Sequence, residues 1–405
     1  MVSRSSSNYS AESPGIACTE GQEWASWPRG SYWTYSGFCY DDIGLRKTMP
    51  SSQENRKELF LRACRFQPVE RVPVWIMRQA GRYLPEYQAI RARHTFLEIC
   101  KAPAIAAEVS LQPFRVLGVD AIIVFSDILI VAEAMGLPLD VPDSGPVLSN
   151  PVRDLAGVRR LRDFDPARDT KFVGDAIREI CRTAGPDVPV IGFAAAPWTL
   201  ACYMIEGRTR GDISRALAML RSEPQVVREL LERIARATAA YLKSQIEAGA
   251  AVVQLFDTWA GELSAAEYDA FELPAIQMVF EELGSAGAPK ILFARGSAGH
   301  LESMAKSGAD VLSVDWNTDL AEARRILGRK VALQGNVNPA ILLGTEVGIR
   351  EAACEAVEKT GGLGHILSLG HGILPNTPVK NARAFVEAGQ AWTLAAQAHT
   401  GRAEA

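Results

Sequence analysis

Two arginines four residues apart are the sharpest chemical feature of the chain. Arg78 and Arg82 directly follow a short apolar run, and Gly81 between them would let a ligand approach the backbone closely. A guanidinium group presents planar, paired donors that suit carboxylates or phosphates. An ion pair with a neighbouring acid such as Glu86 is the alternative use of these side chains. Their position directly after a buried run favours an anionic ligand.

Other polar side chains follow further apolar runs in the same way. Asp127 ends a nearly all-apolar run, where a carboxylate could accept N–H hydrogen bonds or stabilise a cation formed in a reaction. Its alternatives are a helix N-cap or a partner for a site arginine. Tyr203 and Thr258 each offer a hydroxyl that is also consistent with a structural role. His371, between two glycines, is either a solvent-facing turn residue or a group for acid–base or hydrogen-bonding chemistry.

The same positions argue against several enzyme classes. No His or Cys pair has zinc-ligand spacing, and no lysine follows a predicted strand, which disfavours zinc enzymes and Schiff-base aldolases. No G-x-G-x-x-G motif links a strand to a helix, and no Cys/His/Ser dyad is evident where the strands end. The remaining groups suit proton transfer or decarboxylation of an anionic ligand. A phosphate bound by the glycines near His371 stays open.

Eight short apolar runs must position these groups. Each run is continuous rather than alternating, as parallel strands buried on both faces are. The runs cover residues 73–77, 121–125, 189–193, 251–256, 291–294, 311–314, 331–334 and 365–369. Most are separated by helical patterns, and eight strand-then-helix units predict an α/β fold, a single (β/α)8 TIM-type barrel with its site at the C-terminal ends of the strands. An open doubly wound sheet is the alternative.

The sequence also predicts the boundaries of several helices and one long link between elements. Helices are predicted over residues 54–65, over 103–117 with Gly118 as stop, over 224–248 ended by Gly249, and over 377–396 with Thr377 as N-cap and Pro378 at the first position. The link over residues 128–165 is long and rich in proline. Long loops in compact domains are usually functional, so this link is predicted to form a wall or lid.

Composition bounds the class of protein. The chain has 405 residues, of which 48% are hydrophobic and 22% charged, as in soluble globular proteins. No uncharged apolar stretch is long enough to cross a membrane, and the net charge of −4 argues against a general nucleic-acid or anionic membrane surface. Seven cysteines without a C-x-x-C motif predict reduced thiols in a cytosolic protein.

The ends of the chain differ from its middle. Residues 1–50 hold no helical or strand period and are predicted to be a disordered or non-native extension, with translation beginning at Met49 as a hypothesis. Residues 51–396 are predicted to form the barrel, and residues 397–405 a tail. The serine content of the extension leaves plastid targeting as a lesser alternative to the cytoplasm, because the extension also carries acidic residues.

Five blocks of sequence resemble the uroporphyrinogen decarboxylase family. They are PVWIMRQAGRYLPEY at 73–87, FSDIL at 125–129, GFAAAPWTLACYMIEG at 192–207, LFDTWAG at 255–261 and LGHGILP at 369–375. The likeness runs in order from residue 54 to about residue 395. Departures are small: Ala195 stands where the family commonly has glycine, Trp198 where it has phenylalanine, and Thr258 where some members have serine.

This resemblance implies a single distorted (β/α)8 barrel and a cytosolic homodimer whose clefts face one another. It implies removal of carbon dioxide from the four acetate side chains of uroporphyrinogen III, giving coproporphyrinogen III, with no metal or organic cofactor. By the same resemblance Asp127 would bind the four pyrrole N–H groups and stabilise a protonated pyrrole. A methyltransferase on the same barrel and an inactive tetrapyrrole-binding protein are the rival interpretations.

The resemblance also places substrate contacts residue by residue. Catalytic roles fall on Asp127, Arg78, Arg82, Tyr203 and His371. The expected substrate-binding set is Arg78, Gln79, Ala80, Gly81, Arg82, Asp127, Tyr203, Thr258 and His371.

Overall fold

The computed structural model describes residues 55–142, 145–208, 212–284 and 286–393. The predicted extension over residues 1–50, the hypothetical start at Met49 and the predicted tail over residues 397–405 lie outside the described residues. Within the described part of the chain, no helix combines the length and the apolar character that a membrane span requires.

Seven parallel strands form one curled sheet whose spatial order follows the chain, and a separate antiparallel pair, β2 and β3, lies in the long link. The strands are β1 Ile122–Ile123, β2 Leu139–Asp140, β3 Val147–Leu148, β4 Val190–Ala195, β5 Val252–Asp257, β6 Lys290–Ala294, β7 Val311–Val314, β8 Ala332–Val337 and β9 His365–Leu369. The larger sheet runs in the order β1, β4, β5, β6, β7, β8, β9. Seven of the eight predicted runs are therefore strands of one parallel sheet, although β1 is shorter than its run.

Helices cover the outer face of the sheet and connect successive strands. They are α1 Arg56–Cys64, α2 Pro85–Arg91, α3 Phe96–Lys101, α4 Pro103–Leu117, α5 Ile130–Ala134, α6 Leu155–Arg159, α7 Pro166–Asp169, α8 Lys171–Ala184, α9 Pro197–Glu206, α10 Ser214–Ser222, α11 Pro224–Glu247, α12 Ala265–Glu267, α13 Leu273–Leu283, α14 Leu301–Met304, α15 Leu320–Leu327, α16 Glu346–Glu358 and α17 Val379–Ala391. Short 3₁₀ turns at Ala260–Glu262, Ser297–Gly299 and Pro339–Leu343 and a π-helical turn at Tyr268–Glu272 complete the described elements.

The first predicted strand, residues 73–77, is not a regular strand, and this corrects the sequence expectation. Val74 makes a single parallel bridge to Leu367 of β9, and its carbonyl accepts a hydrogen bond from the backbone N–H of Asp120 at 2.8 Å. The Val74 N–H donates instead to the Asp120 carboxylate at 2.8 Å, and Arg71 holds that carboxylate with two bonds of 2.7 Å. A buried side chain thus replaces part of the ladder, and the segment closes the sheet into a distorted barrel with few backbone bonds.

A polar layer inside the barrel ties this closing segment to the opposite strands. The indole N–H of Trp75 donates to the side-chain carbonyl of Gln334 on β8 at 2.9 Å. The Gln334 amide in turn donates to Gln254 on β5 at 3.1 Å and to Ser313 on β7 at 2.9 Å. All four side chains are buried, so these bonds fix the position of the segment that leads to Arg78.

Helix boundaries agree with the sequence at α4 and α11 and differ at α17. Gly118 ends α4 in the left-handed conformation, with φ of 75°. The last helix begins at Val379, because Pro378 has ψ of 133° and therefore stays outside the helix as its N-cap. Thr377 is one residue too early to cap, and its buried hydroxyl has no hydrogen-bond partner among the described residues. The helix ends at Ala391, so the predicted end at residue 396 was wrong.

Candidate active site

A cavity of about 510 Å³ opens at the C-terminal ends of the barrel strands. Its walls come from the segment that follows residues 73–77, from the end of β1, from strands β4 to β6, and from the turn after β9. Of the residues expected at the site, the cavity is lined by Arg78, Ala80, Gly81, Arg82, Asp127, Thr258 and His371. The structure thus brings together side chains that lie nearly 300 positions apart in sequence.

Arg78 and Arg82 stand at this cavity with their charges unpaired. Both side chains are exposed, and no carboxylate among the described residues lies within 4 Å of either guanidinium group. The ion pair with Glu86 that the sequence left open is therefore not formed. Arg78 adopts a left-handed backbone with φ of 61°, which is uncommon for a residue with a side chain and costs about 1–2 kcal/mol.

Gln79 anchors the turn that carries the two arginines. Its side chain is fully buried, accepts a hydrogen bond from the Ile76 N–H at 3.2 Å and donates to the Ala121 carbonyl at 3.0 Å. The Tyr83 hydroxyl donates to the Gln79 carbonyl at 2.7 Å. Gln79 is not among the residues that line the cavity. These three bonds hold the left-handed turn in place, so the arginine backbone is set before any ligand binds.

Asp127 presents one free carboxylate oxygen to the cavity. Its Oδ1 accepts a hydrogen bond from the Leu129 N–H at 2.7 Å. Leu129 is the N-cap residue of α5 and the helix has no side-chain cap, so the capping role that the sequence left open is not formed. Its Oδ2 has no hydrogen-bond partner among the described residues. Burial raises the pKa of Asp127 because it disfavours the carboxylate, and the Leu129 N–H and the positive charge of Arg78 oppose that rise.

The cavity floor is aromatic, and the sequence analysis did not identify it. Phe193 on β4, Phe256 on β5 and Phe293 on β6 line the cavity side by side. Their ring centroids lie 5.6 and 5.9 Å apart, in the range of favourable aromatic contacts. The runs that hold Phe193 and Phe293 contain no polar side chain that would indicate which residues face the inside of the barrel, and the run that holds Phe256 contains one, Gln254.

His371 is held as a neutral imidazole beside this floor. Its ring contacts the ring of Phe293 at 6.1 Å and that of Trp316 at 6.0 Å between centroids, both nearly edge to face. Burial, with the nearby charges of Arg78 and Arg295, lowers the pKa of His371 to about 4. The imidazole is therefore uncharged at neutral pH and suited to hydrogen bonding rather than to acting as a cation.

Two further expectations concern Tyr203 and the long link. Tyr203 lies half-buried on α9 and is not among the residues that line the cavity.

The link over residues 128–165 holds α5, the β2–β3 pair and α6, and Ile128 is the one residue of its described part that lines the cavity. The predicted wall or lid is thus limited in this structure to its first residue.

Groups that could ligate a metal are not assembled here. Across the residues that the structure describes, no three His, Cys, Asp or Glu side chains are grouped to hold an ion. The described cysteines are free, and burial raises the pKa of each of their thiols, which favours the protonated form. What the cavity offers is two cations, one carboxylate, a neutral imidazole and an aromatic floor, with hydroxyl-bearing residues at Tyr83, Tyr87, Ser126 and Thr258.

Comparison with known proteins gives a consistent result. The model of the uroporphyrinogen decarboxylase (URO-D) family matches residues 55–392. Uroporphyrinogen decarboxylase of Gloeobacter violaceus is 46% identical over 82% of this chain and 96% of its own length, and that of Pelobacter propionicus is 48% identical over 81% and 96%. The enzyme of the same name from Coxiella burnetii is 45% identical over 84% and 96%.

One solved structure shares the fold at greater sequence distance. A methyltransferase from Methanosarcina mazei superposes with a TM-score of 0.73 at 24% identity, and the match covers 83% of this chain and 98% of the methyltransferase. That likeness supports the barrel architecture and, at this identity, nothing about the reaction.

Proposed function

The chain belongs to the uroporphyrinogen decarboxylase family and is a carboxy-lyase of tetrapyrrole biosynthesis, and we propose that the cavity at its barrel mouth removes the four acetate carboxyl groups of uroporphyrinogen III. The product is coproporphyrinogen III. The observation that carries the assignment to this cavity is that two unpaired arginines and the free oxygen of Asp127 line one space above an aromatic floor.

Arg78 and Arg82 bind carboxylates of the substrate. Uroporphyrinogen carries eight carboxylates and is strongly anionic, so cationic groups are needed to replace their hydration on binding. The net charge of −4 does not oppose this, because the two guanidinium groups lie at the cavity and have no acidic partner there. Their planar donors suit a carboxylate better than an ammonium group would.

Asp127 binds the inward-pointing pyrrole N–H groups and stabilises the cation that the reaction forms. A proton adds to a pyrrole carbon, and the positive ring then accepts the electron pair released when the bond between the acetate methylene and its carboxyl group breaks. Carbon dioxide leaves, a proton adds to the methylene carbon to give a methyl group, and the ring carbon releases the proton it had taken up. The pyrrole is restored, and the net change is a carboxylate replaced by one proton. N–H donors favour the carboxylate form, so substrate binding opposes the rise in the pKa of Asp127 that burial causes.

The remaining groups bind the substrate through neutral hydrogen bonds. Thr258 offers its hydroxyl at the cavity wall, and the imidazole of His371 offers one donor and one acceptor because it is uncharged. The resemblance in sequence supports a contact from Tyr203 as well. The aromatic floor of Phe193, Phe256 and Phe293 matches the apolar faces of the pyrrole rings.

The family resemblance further supports a cytoplasmic homodimer. Sedimentation of the purified protein tests the dimer, since a single species with the mass of one chain would contradict it. Fractionation of the source cells tests the compartment.

Anaerobic incubation with uroporphyrinogen III tests the function directly. Products are oxidised to porphyrins and separated by chromatography according to the number of carboxyl groups they retain. We expect the seven-, six- and five-carboxyl intermediates and then the four-carboxyl product. A correctly folded protein that binds the substrate and returns it unchanged would support the inactive tetrapyrrole-binding interpretation instead.

A further inference from the structure

Two fully buried carboxyl groups lie behind Thr258, and the steps above use neither of them. Asp257 is the last residue of β5, and Glu272 is the last residue of the π-helical turn. Asp257 Oδ1 accepts a hydrogen bond from the Thr199 hydroxyl at 2.7 Å, and Glu272 Oε2 accepts one from the Trp198 N–H at 2.7 Å. Their other oxygens, Asp257 Oδ2 and Glu272 Oε1, are buried and accept no hydrogen bond from the described residues. The two carboxyl groups interact with each other, and the backbone N–H groups of Trp259 and Ala260 also act on Asp257.

No described cation compensates this pair. The titratable side chains that face it are Cys202 on α9 and Tyr268 on the π-helical turn, and burial together with the two carboxyl groups raises the pKa of both. Two adjacent carboxylates in such a place repel each other strongly, so one proton is retained between them. Burial raises the pKa of Asp257 to about 7, and burial together with the neighbouring Asp257 raises the pKa of Glu272 well above its usual range, so Glu272 is the first of the two to take up a proton.

Each carboxyl group holds a different part of the site. The Thr199 hydroxyl donates to Asp257 and also accepts the Trp259 N–H at 3.1 Å, so this one hydroxyl bridges the residues on either side of Thr258. Glu272 acts from a distance as the N-terminal cap of α9, because the N-cap residue of α9 is an alanine that cannot provide a side-chain acceptor.

We propose that Asp257 and Glu272, joined by one shared proton, are positioning residues for this reaction. The pair holds Thr258 at the cavity wall and fixes α9, the helix that carries Tyr203, to the end of β5. This inference rests on the proposed function in one respect, since it takes Thr258 to contact the substrate.

Amide substitutions test the shared proton. In Glu272→Gln the side-chain NH₂ donates to Asp257, and in Asp257→Asn the NH₂ donates to Glu272, so each single variant keeps one donor facing one acceptor. We expect kcat and KM of both to stay within about threefold of the parent. In the double variant two NH₂ groups face each other, and we expect at least about a tenfold rise in KM for uroporphyrinogen. Additive, near-parental behaviour of the double variant would overturn the proposal.

Two further variants separate positioning from stability. Thr199→Val removes the hydroxyl that donates to Asp257 and accepts from Trp259 while keeping both carboxyl side chains, and we expect it to raise KM in the same way. Asn381→Ala is the matched control, because Asn381 is buried on α17 and donates to the Leu342 and Gly344 carbonyls away from the cavity. It should lower Tm and leave KM unchanged. If the double variant and Thr199→Val also lower Tm alone, the role is structural and the proposal fails.

Infrared spectroscopy provides a readout that does not depend on activity. The parent protein should show the C=O stretch of a buried protonated carboxyl group, and Glu272→Gln should lose it. Absence of that band from the parent contradicts the shared proton. If the band is present but the parent does not decarboxylate uroporphyrinogen, the proposed function fails while the paired carboxyl groups stand.

Discussion

Gly372 packs so closely against Arg78 that a Cβ at Gly372 would overlap Cδ of the arginine. The turn after β9 therefore supports the aliphatic part of a side chain whose own backbone is held in a left-handed conformation. Two blocks that are far apart in sequence thus fix one guanidinium group between them. The glycine is required for its lack of a side chain rather than for an unusual backbone angle.

Gly372→Ala should displace the Arg78 side chain. We expect at least about a tenfold loss in kcat/KM, about 1.4 kcal/mol, because the guanidinium group no longer meets its carboxylate. Steady-state kinetics measures the effect. Gly299→Ala is the matched control, since a Cβ there meets nothing within 4 Å, and it should leave the kinetics unchanged. Equal activity of both variants would contradict a positioning role for Gly372.

Asp127→Asn should keep the fold and lower kcat/KM at least about a hundredfold, roughly 2.7 kcal/mol, because a neutral amide stabilises the pyrrole cation poorly. Asp140→Asn is a suitable control. Asp140 is exposed and also accepts one backbone N–H, that of Val141 at 2.8 Å, so the exchange has the same chemistry away from the cavity. Near-parental turnover by Asp127→Asn would remove this residue from the mechanism.

Arg82→Ala should weaken binding of uroporphyrinogen more than binding of coproporphyrinogen, because the substrate carries four more carboxylates than the product. Comparing KM for the substrate with the inhibition constant for the product measures the difference. Arg93→Ala removes an exposed arginine that does not line the cavity and should change neither value. An equal loss for both tetrapyrroles would argue against carboxylate recognition by Arg82.

Arg295→Gln should raise the pKa of His371, since the Arg295 charge is one of the causes that hold it at about 4. Burial is the larger cause and is retained, so the pKa should stay below the ordinary value of about 6.5. Histidine ring-proton NMR across a pH titration measures the shift. Arg329→Gln, which removes a cation stacked on Phe66, should leave this titration unchanged. No change in Arg295→Gln would show that the arginine is too far away or too well solvated to act.

His365 should make the protein less stable in mild acid. Its Nε2 contacts the Gly335 carbonyl and its Nδ1 the Thr360 hydroxyl, both at 2.9 Å, and burial lowers its pKa to about 4. The unfolded chain takes up this proton near pH 6.5, so stability is present above that value and is lost as the pH falls toward 4. Between pH 7 and pH 5 the contribution is about 2 kcal/mol.

Urea unfolding of the parent and of His365→Gln at these two pH values checks this expectation. The parent should lose more free energy of unfolding than the variant does. Identical losses would mean that His365 is already charged in the folded protein.

The amino-acid sequence determined the architecture because continuous apolar runs and helix boundaries are local properties. Seven of the eight runs became strands of one parallel sheet, and α4 ends at the glycine expected to end it. Polar side chains that follow parallel strands meet at one face of the barrel, and this rule correctly predicted that Asp127, Thr258 and His371 lie together. The matching sequence motifs then identified the family.

Only the tertiary structure decided what depends on contacts between distant segments. The segment over residues 73–77 makes a single β-bridge instead of a strand because the Asp120 carboxylate accepts the hydrogen bond of the Val74 N–H. Nothing in the sequence around either residue predicts this contact. The aromatic floor depends on which apolar side chains of each strand face inward. The neutral state of His371 and the contact between Asp257 and Glu272 depend on burial and on neighbouring residues from other elements. Both conditions exist only once the barrel has closed.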